Sequence, residues 1–249
     1  MKFVKNLMLC AALAVGLVSA AQAEEKAYKI AIDASYPPFS YKNPQGKFVG
    51  IEIDLLDEIA KRQNFKYELV VMNFDGVIPG IVSGQIDGAI DGINMSDERK
   101  KIVDFSDPYF KSGLCIVTRK DDLRINKIED IKDTKPGIKK GTYGMEFAEK
   151  NKDKYNLKLQ YFTMTSDVVQ AVKSKAVDFY MEDFPVISYA IKAGLENDLR
   201  IAVEDMYGSP TYGFAVKKGK NQELLKKFND GLKEVKADGT YEKILNKYI

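Results

Sequence analysis

The sequence predicts an α/β fold of two lobes. Three observations carry that expectation. Short apolar β-like runs alternate with amphipathic helical runs along almost the whole chain, the pattern of parallel strands joined by covering helices. The alternation restarts near Gly113 and comes back to a strand after Gly208, Ser209 and Pro210, as if the chain left one lobe, built another and returned. Polar residues gather just past strand ends, at Asp33, Gly92 and Asp183. In open α/β sheets a ligand lies beyond the carboxyl ends of the strands.

Each element follows from its local pattern. Residues 28–33 (YKIAID) read as a buried strand. In GIEIDLLDEIAKRQ, Leu55, Leu56, Ile59 and Ala60 recur at helical spacing with charges on the other face. A strand over residues 67–71, a short helix over 76–82 and a strand over 87–91 ending at Gly92 follow. The second run predicts strands over 113–118, 157–161 and 177–181 and helices over 144–151, 166–174 and 184–193. A strand over 212–216 and two helices close the chain. The expected organisation is lobe one from residues 24–110 and 206–249, and lobe two from residues 111–205. Two crossings between them form a hinge with the cleft in between.

Residues 1–23 fall outside that fold. Lys2 and Lys5 precede an apolar core over residues 7–18, and Ala21-Gln22-Ala23 is a small-x-small cleavage site. This is a secretory signal peptide cut after Ala23. Cys10 lies inside the apolar core after Leu9, the wrong place for a lipid anchor. No later segment reaches 18 apolar residues.

The chain has 249 residues with 38 Lys and Arg against 36 Asp and Glu. Cleavage removes two of the lysines and no acid, so the mature charge is near zero. That speaks against nucleic acid, which calls for a basic surplus. One mature cysteine, Cys115, rules out an intrachain disulfide and reads as a buried thiol. Histidine is absent, which excludes Ser-His-Asp and Cys-His chemistry and any histidine-ligated metal. No cofactor is expected. A neutral, disulfide-free export product fits the periplasm.

The stretch from Gly92 to Phe110, GINMSDERKKIVDFSDPYF, holds the most chemistry. Arg99 sits between a turn-rich opening and an aromatic, acidic close. That layout suits a guanidinium at the rim of a cleft, gripping a carboxylate through two parallel hydrogen bonds. A solvated arginine on a charged helix is the plainer alternative.

Several ordered pieces then resemble one family: DASYPPFSY with GKFVGIEIDLLDEIAK, NFDGVIPGIVSGQIDGAIDGINMSDERKKIVDFSDPY, KKGTYGMEFA, VDFYMEDFPV, and YGFAVKKG before a DGTYEKILNKYI tail. The chain is similar to the polar amino-acid solute-binding proteins of ABC importers, the group of the glutamine- and lysine/arginine/ornithine-binding proteins. The resemblance implies the type II periplasmic-binding-protein fold, each lobe a mostly parallel sheet flanked by helices, joined by a two-strand hinge. It implies a monomer that binds a free L-amino acid and delivers it to a permease.

It also implies roles for matching residues. Arg99 would hold the ligand α-carboxylate, with Thr142 and the following helix N-terminus gripping it from the other lobe. Asp183 would accept the α-ammonium, with Asn94 and the Gly92 carbonyl beside it. Asp183 also suits a helix N-cap, because Pro185 follows. Tyr36 and Phe74 would sandwich the side chain, or be ordinary core aromatics. Asp33, Asp91 and Glu182 are the acids at the side-chain end. An acid at Glu182 between aromatic faces favours arginine or lysine, with glutamine close behind. Asp91 and Glu182 equally suit positions facing away. A second class is catalysis: cyclohexadienyl dehydratases resemble this fold, and Glu182 in a closed cleft would serve as a general acid. The complete amino-acid clamp argues for binding without turnover.

Overall fold

The computed structural model describes residues 27–204 and 210–249. The expected signal peptide, the expected return boundary at 205/206, Gly208 and Ser209 lie outside the described residues. The first segment contains β1 (Tyr28–Ile32), β2 (Ser35–Tyr36), β3 (Ser40–Lys42), β4 (Phe48–Val49), α1 (Ile51–Arg62), β5 (Tyr67–Val71), α2 (Phe74–Ser83), β6 (Gly88–Ala89), α3 (Asp97–Lys100), β7 (Val103–Phe105) and β8 (Phe110–Lys111). The second contains β9 (Leu114–Arg119), β10 (Pro136–Lys139), α4 (Tyr143–Tyr155), β11 (Gln160–Phe162), α5 (Thr165–Lys173), β12 (Phe179–Asp183), α6 (Phe184–Lys192) and β13 (Leu199–Val203). The chain returns through β14 (Thr211–Tyr212) and β15 (Ala215–Lys217) to α7 (Gln222–Ala237) and α8 (Thr240–Tyr248).

Two five-stranded sheets result, ordered β5-β1-β6-β15-β7 and β11-β10-β12-β9-β13. Both are mixed, where mostly parallel sheets were expected. In the first, β1 runs parallel to β5 and β6, but the returning β15 is antiparallel to β6 and β7. In the second, β10 is parallel to β11 and β12, while β9 is antiparallel to β12 and β13. The reversed strands are those beside the crossings between lobes, which enter each sheet from the cleft side. The crossings themselves pair as a short antiparallel ribbon, β8 with β14.

The first lobe is built on α1, whose buried Ile51, Leu55, Leu56 and Ile59 share a core with Phe228, Leu232 and Val235 of α7. Three-to-four-residue spacing makes that face. The second sheet is covered on both sides. Phe179 and Met181 of β12 join Ile138 and Phe147, whereas Tyr180 joins Val117, Val168 and Ile187. The alternation is the period of two of a strand.

Element boundaries differ from expectation where local bonds compete. The single strand expected over 212–216 is broken, because Ser106 exchanges hydrogen bonds with the Phe214 backbone between β14 and β15. The strand expected from 157 begins at Gln160. Asn156 caps α4 in the left-handed region, and the Leu157 N–H still donates to Lys152. Strands β7, β10 and β13 were not anticipated. Cys115 is buried as expected. Among the described residues, no helix is long and apolar enough to cross a membrane.

Candidate functional site

The ends of β1, β6, β10 and β12 converge on the cleft. There a cavity of about 30 Å³ is lined from the first lobe by Asp33, Tyr36, Phe74, Gly92 and Asn94. From the second lobe come Lys139, Thr142, Thr165, Tyr180, Glu182 and Asp183, among others. Eight of the ten expected site residues therefore line one space. Arg99 and Asp91 stand behind its wall.

Asp183 is the last residue of β12 and precedes α6 with Pro185 in the first turn. Its side chain makes no cap hydrogen bond. Its Oδ2 instead accepts the hydroxyls of Tyr36 and Tyr212, each at 2.7 Å. Burial pushes the carboxyl up, while those hydroxyls, Arg99 and the Asn94 side chain pull it down. Asn94 is buried, and its Oδ1 has no partner. A carboxylate from one lobe and an unpaired amide oxygen from the other, side by side, make an acceptor set for an ammonium group.

Ser96 caps α3 through the Arg99 N–H and so fixes where the arginine leaves the helix. Arg99 is 5% exposed. Its Nη1 donates to the Asn94 carbonyl at 2.9 Å, and its Nη2 crosses the cleft to the Gly141 carbonyl at 2.7 Å. Nε lies 3.4 Å from Glu146 Oε1. Burial lowers the guanidinium, with Glu146 and Asp183 opposing. It stays charged because its intrinsic basicity is so high. Gly141 has φ +77°, and a Cβ there would come within 2.9 Å of the Asp75 Cα. The lobes thus meet backbone to backbone beside Arg99. Glu146 and the Gly141 carbonyl hold the fork that a ligand carboxylate would otherwise take.

Thr142 caps α4: its Oγ1 accepts from the Met145 N–H at 3.2 Å and donates to the Lys139 carbonyl at 2.8 Å. The hydroxyl is therefore committed to the cap. What α4 offers the cavity is its positive N-terminal end at Tyr143 and Gly144.

The aromatic pair is arranged unequally. Phe74 lies 5.6 Å from the Arg99 guanidinium and 5.7 Å from Lys139 Nζ, measured to the ring centroid. Tyr36 stacks on Phe39 at 5.4 Å and presses on Gly92. Gly92 has φ +55°, and a Cβ would meet the Tyr36 ring at 2.5 Å, so only glycine fits. Its N–H donates to Glu52 Oε1 at 2.6 Å.

At the other end of the cavity Asp33 Oδ2 pairs with Lys139 Nζ at 3.1 Å across the cleft. Both side chains are largely buried. Glu182 Oε1 accepts the Asp183 N–H at 3.0 Å. Burial and the neighbouring Asp183 raise its carboxyl to about 7, with Lys139 opposing. Asp91 lies underneath: its Oδ1 accepts the Asp33 N–H at 2.8 Å, and it is buried off the cavity wall. Of the two places expected for it, among the side-chain-end acids or facing away, this position is the second, as a support of the Asp33 turn.

Sequence reading missed Lys139, Glu52, Tyr212 and Glu146. Lys139 had a signal, since it ends β10 two residues before Gly141-Thr142, at a strand exit like Asp33. Glu52 stands one helical turn before Leu56 on the buried face of α1, so periodicity marked it. Glu146 and Tyr212 carried none.

Residues 28–249 match the bacterial extracellular solute-binding proteins, family 3. The arginine-binding periplasmic protein of Mannheimia haemolytica is 30% identical over 242 residues, 95% of this chain and 96% of that one. A solved ancestral arginine-binding protein bound to arginine is 40% identical, with TM-score 0.83 over 90% of this chain and 98% of that one. The same description bound to glutamine gives 40% identity and TM-score 0.82, over 90% and 97%. This chain belongs to family 3 of the bacterial extracellular solute-binding proteins.

Proposed function

We propose that the chain binds a free L-α-amino acid with a cationic side chain, arginine or lysine, in the cleft and delivers it to an ABC importer permease. One observation carries this reading. Asp183, freed from its capping role and set beside the unpaired Asn94 Oδ1, faces a cavity backed by Arg99 and the α4 N-terminus. That arrangement complements a zwitterion. Charge placement then favours a cation: Lys139 pairs with Asp33 and Glu146 lies against Arg99, whereas Glu182 on the cavity wall makes no ion pair among the described residues. The arginine-bound relative agrees with it. Charge-assisted hydrogen bonds contribute about 1.5–3 kcal/mol each, and two of them at each clamped terminus together with a buried side chain reach the roughly −8 kcal/mol of micromolar binding.

Glutamine is the second reading. The Asp33–Lys139 pair presents an acceptor beside a donor, which matches a carboxamide, and the ancestral relative has also been solved with glutamine. Catalysis is disfavoured, because a substrate without an α-amino group leaves Asp183 unanswered.

We further assign residues 1–23 to a signal peptide cleaved after Ala23, the mature chain to the periplasm as a monomer, and the lobes to residues 24–110 with 206–249 and to 111–205. The test is the mass of the small molecule released on denaturing protein purified from its native source. Arginine or lysine is the expected mass; a sugar, or an acid without nitrogen, contradicts the reading.

A further inference from the structure

A second cavity, of about 280 Å³, adjoins the first at the mouth of the cleft. Thr165, Tyr180 and Glu182 line both. Beyond Glu182 the walls turn aliphatic, with Val169 of α5 and Ile187 and Ala190 of α6. The polar atoms there come from Gln170, Ser166 and Glu196, the last held by Lys173 at 2.5 Å. No unpaired cation faces this space among its described lining residues.

The α-end of a ligand is fixed at Asp183 and Arg99. The inner cavity has room for about two water molecules, since one needs roughly 10–15 Å³. A long side chain leaving the α-end of the cavity meets the Asp33–Lys139 pair on one side. On the other it meets Glu182 and the larger space behind it. The aliphatic walls suit methylene carbons, and a donor-rich head in this space would meet the side-chain oxygens of Ser166, Gln170 and Glu196 with Glu182 at the junction. Resting on the amino-acid reading above, we propose that the second cavity is a subsite for the distal part of extended side chains. The protein then accepts α-amino acids longer than arginine that end in a guanidinium or ammonium group.

The test is calorimetry on ligand-stripped protein spanning residues 24–249, with glutamine, arginine and homoarginine as probes. Wild-type protein should bind homoarginine within about tenfold of arginine, a difference under roughly 1.4 kcal/mol. Ala190→Phe, which fills the cavity from α6, should weaken homoarginine more than about tenfold and leave glutamine within about twofold. Gln170 is exposed on α5, so Gln170→Trp fills the same space from the surface with little risk to folding and should act alike. Homoarginine more than tenfold weaker than arginine in wild type overturns the subsite. So does equal weakening of glutamine and homoarginine by Gln170→Trp. Failure of all three probes to bind would instead overturn the amino-acid reading itself.

Discussion

The two ends of the cavity are built on different principles. At the end proposed for the α-groups each residue is fixed by several protein partners: Asp183 by two tyrosine hydroxyls, Arg99 by two carbonyls and Glu146, Gly92 by Glu52. At the side-chain end the charged groups face one another across the cleft, as Asp33 and Lys139 do, or keep a single backbone partner, as Glu182 does. On the proposed reading the first is the clamp common to all α-amino acids, and the second sets which amino acid is preferred. Both ends draw residues from both lobes, so on that reading only the closed cleft offers a ligand all its partners, and binding favours closure.

The largest effect that separates the ends is loss of the clamp. Asp183→Asn should weaken every amino acid by about a hundredfold or more, since removing one partner of a buried charge pair costs roughly 2–5 kcal/mol. Calorimetry with arginine and glutamine checks it, and loss of only one of them breaks the comparison. Next comes selectivity. Glu182→Gln should weaken arginine about tenfold and glutamine within about twofold, whereas Lys139→Met should shift the arginine-to-glutamine ratio about tenfold towards arginine. Equal effects on both ligands would place those side chains outside the selective end.

A smaller effect is pH dependence. Glu182 titrates near 7 in the protein, and a cation binds its ionised form. Arginine affinity should therefore rise between about pH 6 and 8, by up to about tenfold, and level off above. Glutamine supplies the baseline, because Asp183 shifts both ligands alike. Glu182→Gln should remove the difference.

The smallest concerns the support beneath the clamp. Burial raises Glu52 to about 7. An acid raised on folding favours the folded state while protonated, so its contribution is lost as pH climbs from about 4.5 through 7. Glu52→Gln should raise Tm by about 2–6 °C at pH 8 and by less at pH 5, read by calorimetric melting.

The same contrast governs what the sequence discloses. The clamp is legible because its parts lie in compact motifs that carry the family resemblance, Gly92 to Arg99, Gly141 to Gly144 and the stretch ending at Asp183, and only Arg99 has a role readable from the residues alone. The selective end is less so. A lysine at 139 reads as solvated surface until β10 places it opposite Asp33, 106 residues away in sequence. Asp91 reads as a wall residue, but the turn at Gly92 sends it underneath. The two-lobe layout follows from helical and strand periodicity. The mixed sheets do not, because pairing direction depends on how the crossing strands enter, a property of the whole topology.

The most direct test of the divided site is a titration of ligand-stripped protein spanning residues 24–249 with arginine, lysine and glutamine at pH 8. Arginine or lysine should bind at micromolar or tighter affinity and more tightly than glutamine. Glutamine binding without arginine or lysine would contradict the assignment of Glu182 as the unpaired acid that selects a cation.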